Sequence, residues 1–189
     1  MIPERQPATI VALSPAETGA ALDEIVHVYT AAFAPPPYSR GRRQASNFKR
    51  TLGRQFDRGG FKMIVAYHGS HHKLVGFGYG YTCREGQWWH DQVAAAMPPA
   101  RYQRWLEDAF EIAELAVLPA MQGRGIGGHL HDTLLAERPH RTAVLSTLQE
   151  ETRGLHLYRS RGWRTLLENF SFSGVRKPYR IMGRDLPGK

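Results

Sequence analysis

Glu111 and Glu114 stand in an otherwise apolar run, Phe110 to Val117. A carboxylate in such a run costs free energy unless it is paired or its pKa rises. A raised pKa suits a general base working near neutrality. The alternative is that either glutamate pairs with an arginine for structural reasons. Their spacing puts them on opposite faces of a regular strand, so at most one faces a given site unless a bulge intervenes. Pro119 then stops ladder pairing, because proline has no N–H to donate. Four glycines follow within Gln122-Gly-Arg-Gly-Ile-Gly-Gly128, and Ile126, Leu130 and Leu134 recur at a spacing of four. The pattern is a strand, a glycine-rich turn and a helix. Such a turn leaves backbone N–H groups unpaired at the positive end of the helix, where a pyrophosphate fits.

Two common phosphate motifs do not match. No Lys-Ser or Lys-Thr follows the glycines, so the loop is not a P-loop. It also lies two-thirds along the chain, whereas a dinucleotide fingerprint belongs near the first strand of its domain. The segment instead resembles the Gln/Arg-x-x-Gly-x-Gly/Ala loop of the GNAT superfamily of N-acetyltransferases, read here as Gln122-Gly-Arg-Gly-Ile-Gly127. The resemblance extends to Leu115-Ala-Val-Leu-Pro119 before the loop and Leu157-Tyr-Arg-Ser-Arg-Gly-Trp163 after it, covering roughly residues 108–165.

The resemblance implies acetyl-coenzyme A as co-substrate and a primary amine, on a small molecule or a peptide, as acceptor. It implies that the pyrophosphate is held by Gln122, Gly123, Arg124, Gly125, Ile126, Gly127 and Gly128. The pantetheine arm would pair with Leu115, Ala116 and Val117 where the fourth and fifth strands splay apart. Tyr158 would sit beside the coenzyme sulfur and protonate it; a tyrosine hydroxyl, with a pKa of about 10, is close to a thiol's. Glu111 aligns with the base of some relatives, while Glu114 is nearer the presumed thioester; a water chain is the third option. Two positions depart from the family. Glu151 stands where many relatives place a pantetheine-contacting asparagine, and Ser146 where some protein-N-terminal acetylating relatives place a catalytic glutamate. A homodimer is the family-level expectation. The competing reading is a non-catalytic acyl-coenzyme A sensor that has kept the loop.

These groups have to be positioned by a fold that the rest of the chain supplies. Ala8 to Leu13 reads as a first strand, and Ser14-Pro-Ala-Glu17 as a capping box opening a helix. Leu22, Ile25, Val26, Tyr29 and Phe33 share one face of that helix, which should end before Pro35-Pro-Pro-Tyr38. In the resembling family this region borders the acceptor site. Phe33 and Tyr38 are therefore either substrate-lining residues or loop aromatics of no consequence. A second helix is expected over 39–57. Strands at 61–67 and 73–82 form a hairpin through Gly69-Ser70, and the adjacent His71 and His72 point apart rather than to a metal. In the second of these strands Val75, Phe77, Tyr79 and Tyr81 face one way. Gly76, Gly78 and Gly80 face the other, letting a helix or backbone approach closely.

Residues 83–107 exceed the turn that the core fold needs between its third and fourth strands. Their aromatics, including Trp88, Trp89, Tyr102 and Trp105, predict a small helical cap. Either the cap shapes the acceptor pocket through Trp89 and His90 or Asp91, or it simply covers sheet hydrophobics. A strand at 141–148, a sixth strand region in two pieces at 163–167 and 170–172, and a last strand at 178–183, with a helix at 151–161 ending at Gly162, complete the alternation. The expected fold is α/β (α+β): a mixed, mostly antiparallel sheet of six to seven strands, GNAT-like, with helices on both faces and a helical insertion between strands 3 and 4. One domain over residues 1–189 is expected.

Composition narrows the classes further. With 42% hydrophobic and 22% charged residues the chain has a globular composition. Its single cysteine, Cys83, excludes an internal disulfide and gives no zinc-finger spacing. Met1 to Ala8 is polar and lacks the apolar core of a signal peptide, and no run approaches the length of a membrane span. A cytoplasmic protein with no membrane partner and no metal is the expectation. The formal charge is +8, from 25 Lys and Arg against 17 Asp and Glu. The arginines are dispersed, with only Arg40, Arg42 and Arg43 clustering, which argues against nucleic acid. An anionic coenzyme near Arg124 and a merely solvated basic surface are the two remaining readings.

Overall fold

Seven strands are ordered β1-β2-β3-β4-β5-β7-β6 in one sheet in the computed structural model, which describes residues 8–69 and 72–187. They are β1 (Thr9–Leu13), β2 (Lys62–His68), β3 (Lys73–Cys83), β4 (Ala109–Val117), β5 (Thr142–Leu148), β6 (Arg164–Phe170) and β7 (Tyr179–Asp185). The α-helices are α1 (Pro15–Ala20), α2 (Leu22–Phe33), α3 (Arg42–Gln55), α4 (Trp88–Ala94), α5 (Pro99–Trp105), α6 (Ile126–Leu135) and α7 (Arg153–Ser160). β1 with β2, β5 with β7 and β6 with β7 are antiparallel, and β4 with β5 is parallel. The mixed, mostly antiparallel sheet expected from the sequence is thus observed. The expectations for residues 1–7, and for Ser70 and His71 in the hairpin turn, lie outside the described residues.

The chain forms two compact units. One takes the chain up to Tyr79 together with Glu114–Ala136; the other takes Gly80–Ala113 and the chain from Glu137 onward.

In the first unit the capping box forms as the sequence predicts. Glu17 N donates to Ser14 Oγ at 3.2 Å and Ser14 N to Glu17 Oε2 at 2.8 Å. The helix it opens is shorter than expected. Gly19 weakens its interior, and Ala21, at φ −87° and ψ 5°, separates it from α2. On α2 the buried residues are Ile25, Val28, Tyr29 and Phe33, so Val28 rather than Val26 completes the inward face. The aromatic face of β3 receives α3, with Phe48 5.8 Å from Phe77 (ring centroids) and Tyr79 Oη donating to Gln55 Oε1 at 2.8 Å. The glycine face receives α6 and β4. A Cβ on Gly76 would lie 3.0 Å from Leu130 Cδ1, and one on Gly78 2.9 Å from Leu115 Cδ1. The close approach expected of that face is therefore present, with α3 on one side of β3 and α6 on the other.

In the second unit α4 and α5 form the expected cap. Trp89, Val93, Met97 and Trp105 join Val144, Leu166, Phe172 and Ile181 in one buried cluster. Trp105 lies over β7 where Gly183 leaves room, since a Cβ there would come 2.6 Å from the indole. Trp88 is the exception among the cap tryptophans: it is 54% exposed, stacked on Phe172. β6 is one strand where the sequence suggested two pieces, because its register to β7 shifts between Thr165 and Leu167 and again before Phe170. Such bulges hide the regular alternation by which a strand is read.

Candidate functional site

In the first unit β4 ends where Leu118 N donates to Val75 O at 2.8 Å. Pro119–Met121 then make one 3₁₀ turn, and Gln122 Nε2 reaches back to Val117 O at 3.0 Å, tying the loop to the strand end. Gly123 and Gly125 have φ of +74° and +81°, values that a side chain would strain. Gly125 is the N-cap of α6 and brings no side-chain acceptor to the helix start. The first-turn amides therefore have neither an intrahelical partner nor a side-chain cap, at the positive end of the helix dipole. Gly123, Arg124 and Gly125 are exposed, so an anion can reach these amides and the Arg124 cation together. Ala116 and Val117 are buried and Leu115 is half-buried.

The same unit joins Phe33, Tyr38 and Glu114 through Arg40. Ser39 N donates to Pro35 O at 3.1 Å and Arg40 N to Phe33 O at 2.8 Å, folding the proline-rich loop back on the end of α2. The Phe33 and Tyr38 rings meet edge to face at 4.9 Å. The Arg40 guanidinium lies 4.5 Å from the Phe33 ring centroid. Its Nη1 donates to Tyr29 Oη at 2.7 Å and to Glu114 Oε1 at 3.0 Å. Glu114 is thus one of the two glutamates for which the sequence left a structural arginine partner open, and here it has one. Arg40 escaped the sequence reading because no spacing rule links a loop arginine to a strand 74 residues away; only its place after three prolines hinted at a fixed geometry.

Both partners of this pair are roughly four-fifths shielded from solvent. A hydrogen bond to a charged group contributes about 1.5–3 kcal/mol when it is this protected. Replacing Arg40 with methionine, which keeps the stem over Phe33, should therefore lower unfolding free energy by about 2 kcal/mol. Urea denaturation checks this, and a change below about 0.5 kcal/mol would show the pair to be no stronger than an exposed one.

In the second unit Glu111 is 3% exposed and accepts from Tyr81 Oη at 3.3 Å. The two glutamates have different surroundings, as their odd spacing on β4 requires: Glu111 is fully buried beside a phenol, and Glu114 is half-buried beside a guanidinium. Tyr158 is buried on α7, its ring edge-on to Trp163 at 5.7 Å. The helix that carries it is capped by Thr152, whose hydroxyl accepts from Leu155 N. Glu151, at the position that departs from the family pattern, is taken up by Arg159 through both carboxylate oxygens at 2.8 Å.

Trp89 and His90 both point into the cap. Trp89 Nε1 donates to Ser146 Oγ at 3.2 Å. His90 Nδ1 stands 2.8 Å from Asp91 Oδ1 and Nε2 3.4 Å from Tyr102 Oη. With Asp91 as acceptor the imidazole carries its proton on Nδ1, leaving Nε2 to accept from the phenol. The His90 hydrogen bond, followed by the Gly86 amide, holds the Asp91 carboxyl below the usual carboxylate range. Among the described residues no cluster of three or more His, Cys, Asp or Glu is placed to hold a metal ion. Nor is any helix among them long and apolar enough to cross a membrane.

A family model for the acetyltransferase (GNAT) domain matches residues 59–165, more than half of the chain. The chain belongs to the GNAT family of acetyltransferases, a class of acyltransferase enzymes. It is similar to a GCN5-like protein acetyltransferase of Mycobacterium tuberculosis, 36% identical over 122 residues covering 60% of this chain and 59% of that protein. The match thus spans less than two thirds of that relative's length. Two solved structures share the fold. The ribosomal-protein-S18-alanine N-acetyltransferase of Escherichia coli has a TM-score of 0.64 at 18% identity, covering 96% of each chain. A phosphinothricin acetyltransferase of Sinorhizobium meliloti, solved in complex with acetyl-coenzyme A, has a TM-score of 0.57 at 18% identity, covering 97% of this chain and 91% of its own.

Proposed function

We propose that the chain transfers an acetyl group from acetyl-coenzyme A to a primary amine by direct attack within a ternary complex. The observation that carries this reading is the uncapped start of α6 behind the Gly123–Gly125 turn, with Arg124 exposed beside it. That turn gives a diphosphate several N–H donors and a cation at once. Gln122 to Gly128 hold the pyrophosphate, and Leu115 to Val117 pair with the pantetheine arm. A backbone N–H of β4 stabilises the oxygen of the thioester carbonyl as charge develops on it, a contribution of about 3 kcal/mol.

The balance of the step assigns the remaining groups. The amine nitrogen forms a bond to the acetyl carbon while the carbon–sulfur bond breaks. A carboxylate removes the proton that the nitrogen sheds. Glu111, buried beside the Tyr81 hydroxyl, is the first choice, and Glu114, which is held by Arg40, is the second. Tyr158 returns a proton to the thiolate. Phe33 and Tyr38 line the acceptor side, with Arg40 fixing their loop. Trp89 and His90 complete the acceptor-side set; their burial lets them act by keeping the cap in shape.

The test combines two measurements on one preparation. Titration with acetyl-coenzyme A in a calorimeter should give saturable heat and a raised Tm. Adding a panel of primary amines should then release free coenzyme thiol with at least one of them. No heat and no Tm shift would overturn the proposal. Heat without thiol release from any amine would favour a non-catalytic acyl-coenzyme A-binding module.

A further inference from the structure

α3 breaks the local rules of helix design in one consistent direction. Its sequence, Arg42-Arg-Gln-Ala-Ser-Asn-Phe-Lys-Arg-Thr-Leu-Gly-Arg-Gln55, contains five cations and no acid. Arg42 and Arg43 occupy the first turn, where the dipole disfavours positive charge and acids are the rule. Arg50 and Arg54 are one turn apart on the same face, a like-charge spacing that weakens a helix. Ala45, Phe48, Leu52 and Gln55 are buried, which turns Arg43, Asn47, Arg50 and Arg54 outward. At about 100° per residue these four fall in one stripe opposite the buried face, with Arg43 about 10 Å from Arg50 and Arg50 about 6 Å from Arg54 along the axis.

Some arginines outside α3 are neutralised, while others, Arg124 and Arg164 among them, have no carboxylate partner among the described residues. Arg104, Arg141, Arg159 and Arg180 each have a carboxylate partner. Among the described residues Arg42, Arg43, Arg50 and Arg54 have none, and Arg50 Nη2 is aimed by a hydrogen bond to Asn47 Oδ1 at 2.9 Å. Among the described residues Lys49 alone on α3 pairs with an acid, Asp23 of α2. A helix that accepts these penalties in its fold carries a charge pattern that is used outside it.

We propose that the outer face of α3 is a docking surface for an acidic helical segment of another protein. The stripe has the spacing i, i+4, i+7, i+11 of a single helix face. Carboxylates at the same spacing on a second helix meet the guanidinium forks in matching rows. A lipid surface fits less well, because the apolar side of α3 is committed to the sheet and none of its outward residues can enter a bilayer. Nucleic acid fits less well too, because a stripe of three arginines offers a duplex few phosphate contacts and a single strand no aromatic residue to stack on. The surface is separate from the acetyl-transfer reading, and its test needs no turnover.

The test uses fluorescence anisotropy with a labelled synthetic helical peptide carrying glutamates at i, i+4, i+7 and i+11. A labelled random-sequence DNA duplex and phosphatidylserine vesicles run in parallel. The full chain should bind the peptide in a salt-sensitive manner. The triple reversal Arg43→Glu, Arg50→Glu, Arg54→Glu should weaken that binding about tenfold or more. Its Tm should be unchanged or higher, since the substituted side chains are exposed. A control reversal at Lys73, Arg164 and Arg176, exposed positions outside α3, makes the same change in net charge and should leave binding within about twofold. Equal losses in the two variants would reduce the effect to net charge and overturn the proposal. So would tighter retention of the duplex or vesicles than of the peptide, or no binding to any probe.

Discussion

Replacing Gly80 with alanine should destabilise the protein by about 3 kcal/mol or more, at the upper end of what overpacking costs. A Cβ at this position would lie 2.2 Å from the backbone oxygen of Glu111 and 2.6 Å from the Phe110 ring. The oxygen belongs to β4, and only parting of the strands can move it. Gly78 offers the comparison within the same strand. There a Cβ would meet the end of the Leu115 side chain at 2.9 Å, and a rotamer change relieves that contact. Gly78→Ala should therefore cost less than about 1.5 kcal/mol. For a chain of this size 3 kcal/mol corresponds to a fall in Tm of roughly 6–12 °C. Thermal unfolding of both variants checks the ranking, and equal losses at Gly78 and Gly80 would refute it. The change at Gly80 also displaces the segment bearing Glu111, so a weakened variant should be impaired in activity beyond its loss of folded protein.

The glycines of β3 show why much of this fold was legible in the sequence. Their alternation with Val75, Phe77, Tyr79 and Tyr81 is a period-two signal in which both faces carry information: aromatic toward α3, bare toward α6 and β4. The capping box at Ser14 and the glycine-rich turn before α6 are equally local, and each forms with the residues that announce it. What escaped depends on contacts distant in sequence. The pairing of Arg40 with Glu114 joins a loop to a strand, and Tyr81 meets Glu111 across two neighbouring strands. The inward face of α2 takes Val28 rather than Val26, since Val28 lies at i+3 from Ile25 beside Tyr29 at i+4, and which side of that row turns inward is set by the packing partner. The bulges in β6 are set by its register to β7, a strand that comes later in the chain. The candidate site was legible where backbone geometry makes it, at the turn into α6, and much less so where side chains meet.

Replacing Tyr158 with phenylalanine should lower turnover at least tenfold, about 1.4 kcal/mol in the barrier, while acetyl-coenzyme A affinity changes little. The substitution keeps the ring, and with it the edge-on contact to Trp163, and removes only the hydroxyl. If Tyr158 only packs, turnover and stability should both survive, because the phenylalanine fills the same buried volume. If it supplies the proton to the departing thiolate, binding should survive and the chemical step should slow. The two outcomes separate in paired measurements: kcat from thiol release with an amine that the panel identifies, and Kd for acetyl-coenzyme A by calorimetry. A variant with unchanged turnover removes Tyr158 from the acid role. A variant that loses coenzyme affinity and turnover together makes the hydroxyl a binding group. The prediction discriminates because the Thr152 cap holds the start of α7 and Trp163 packs on the Tyr158 ring, and both contacts are kept by phenylalanine. A change confined to kcat then reports on the proton that the hydroxyl carries.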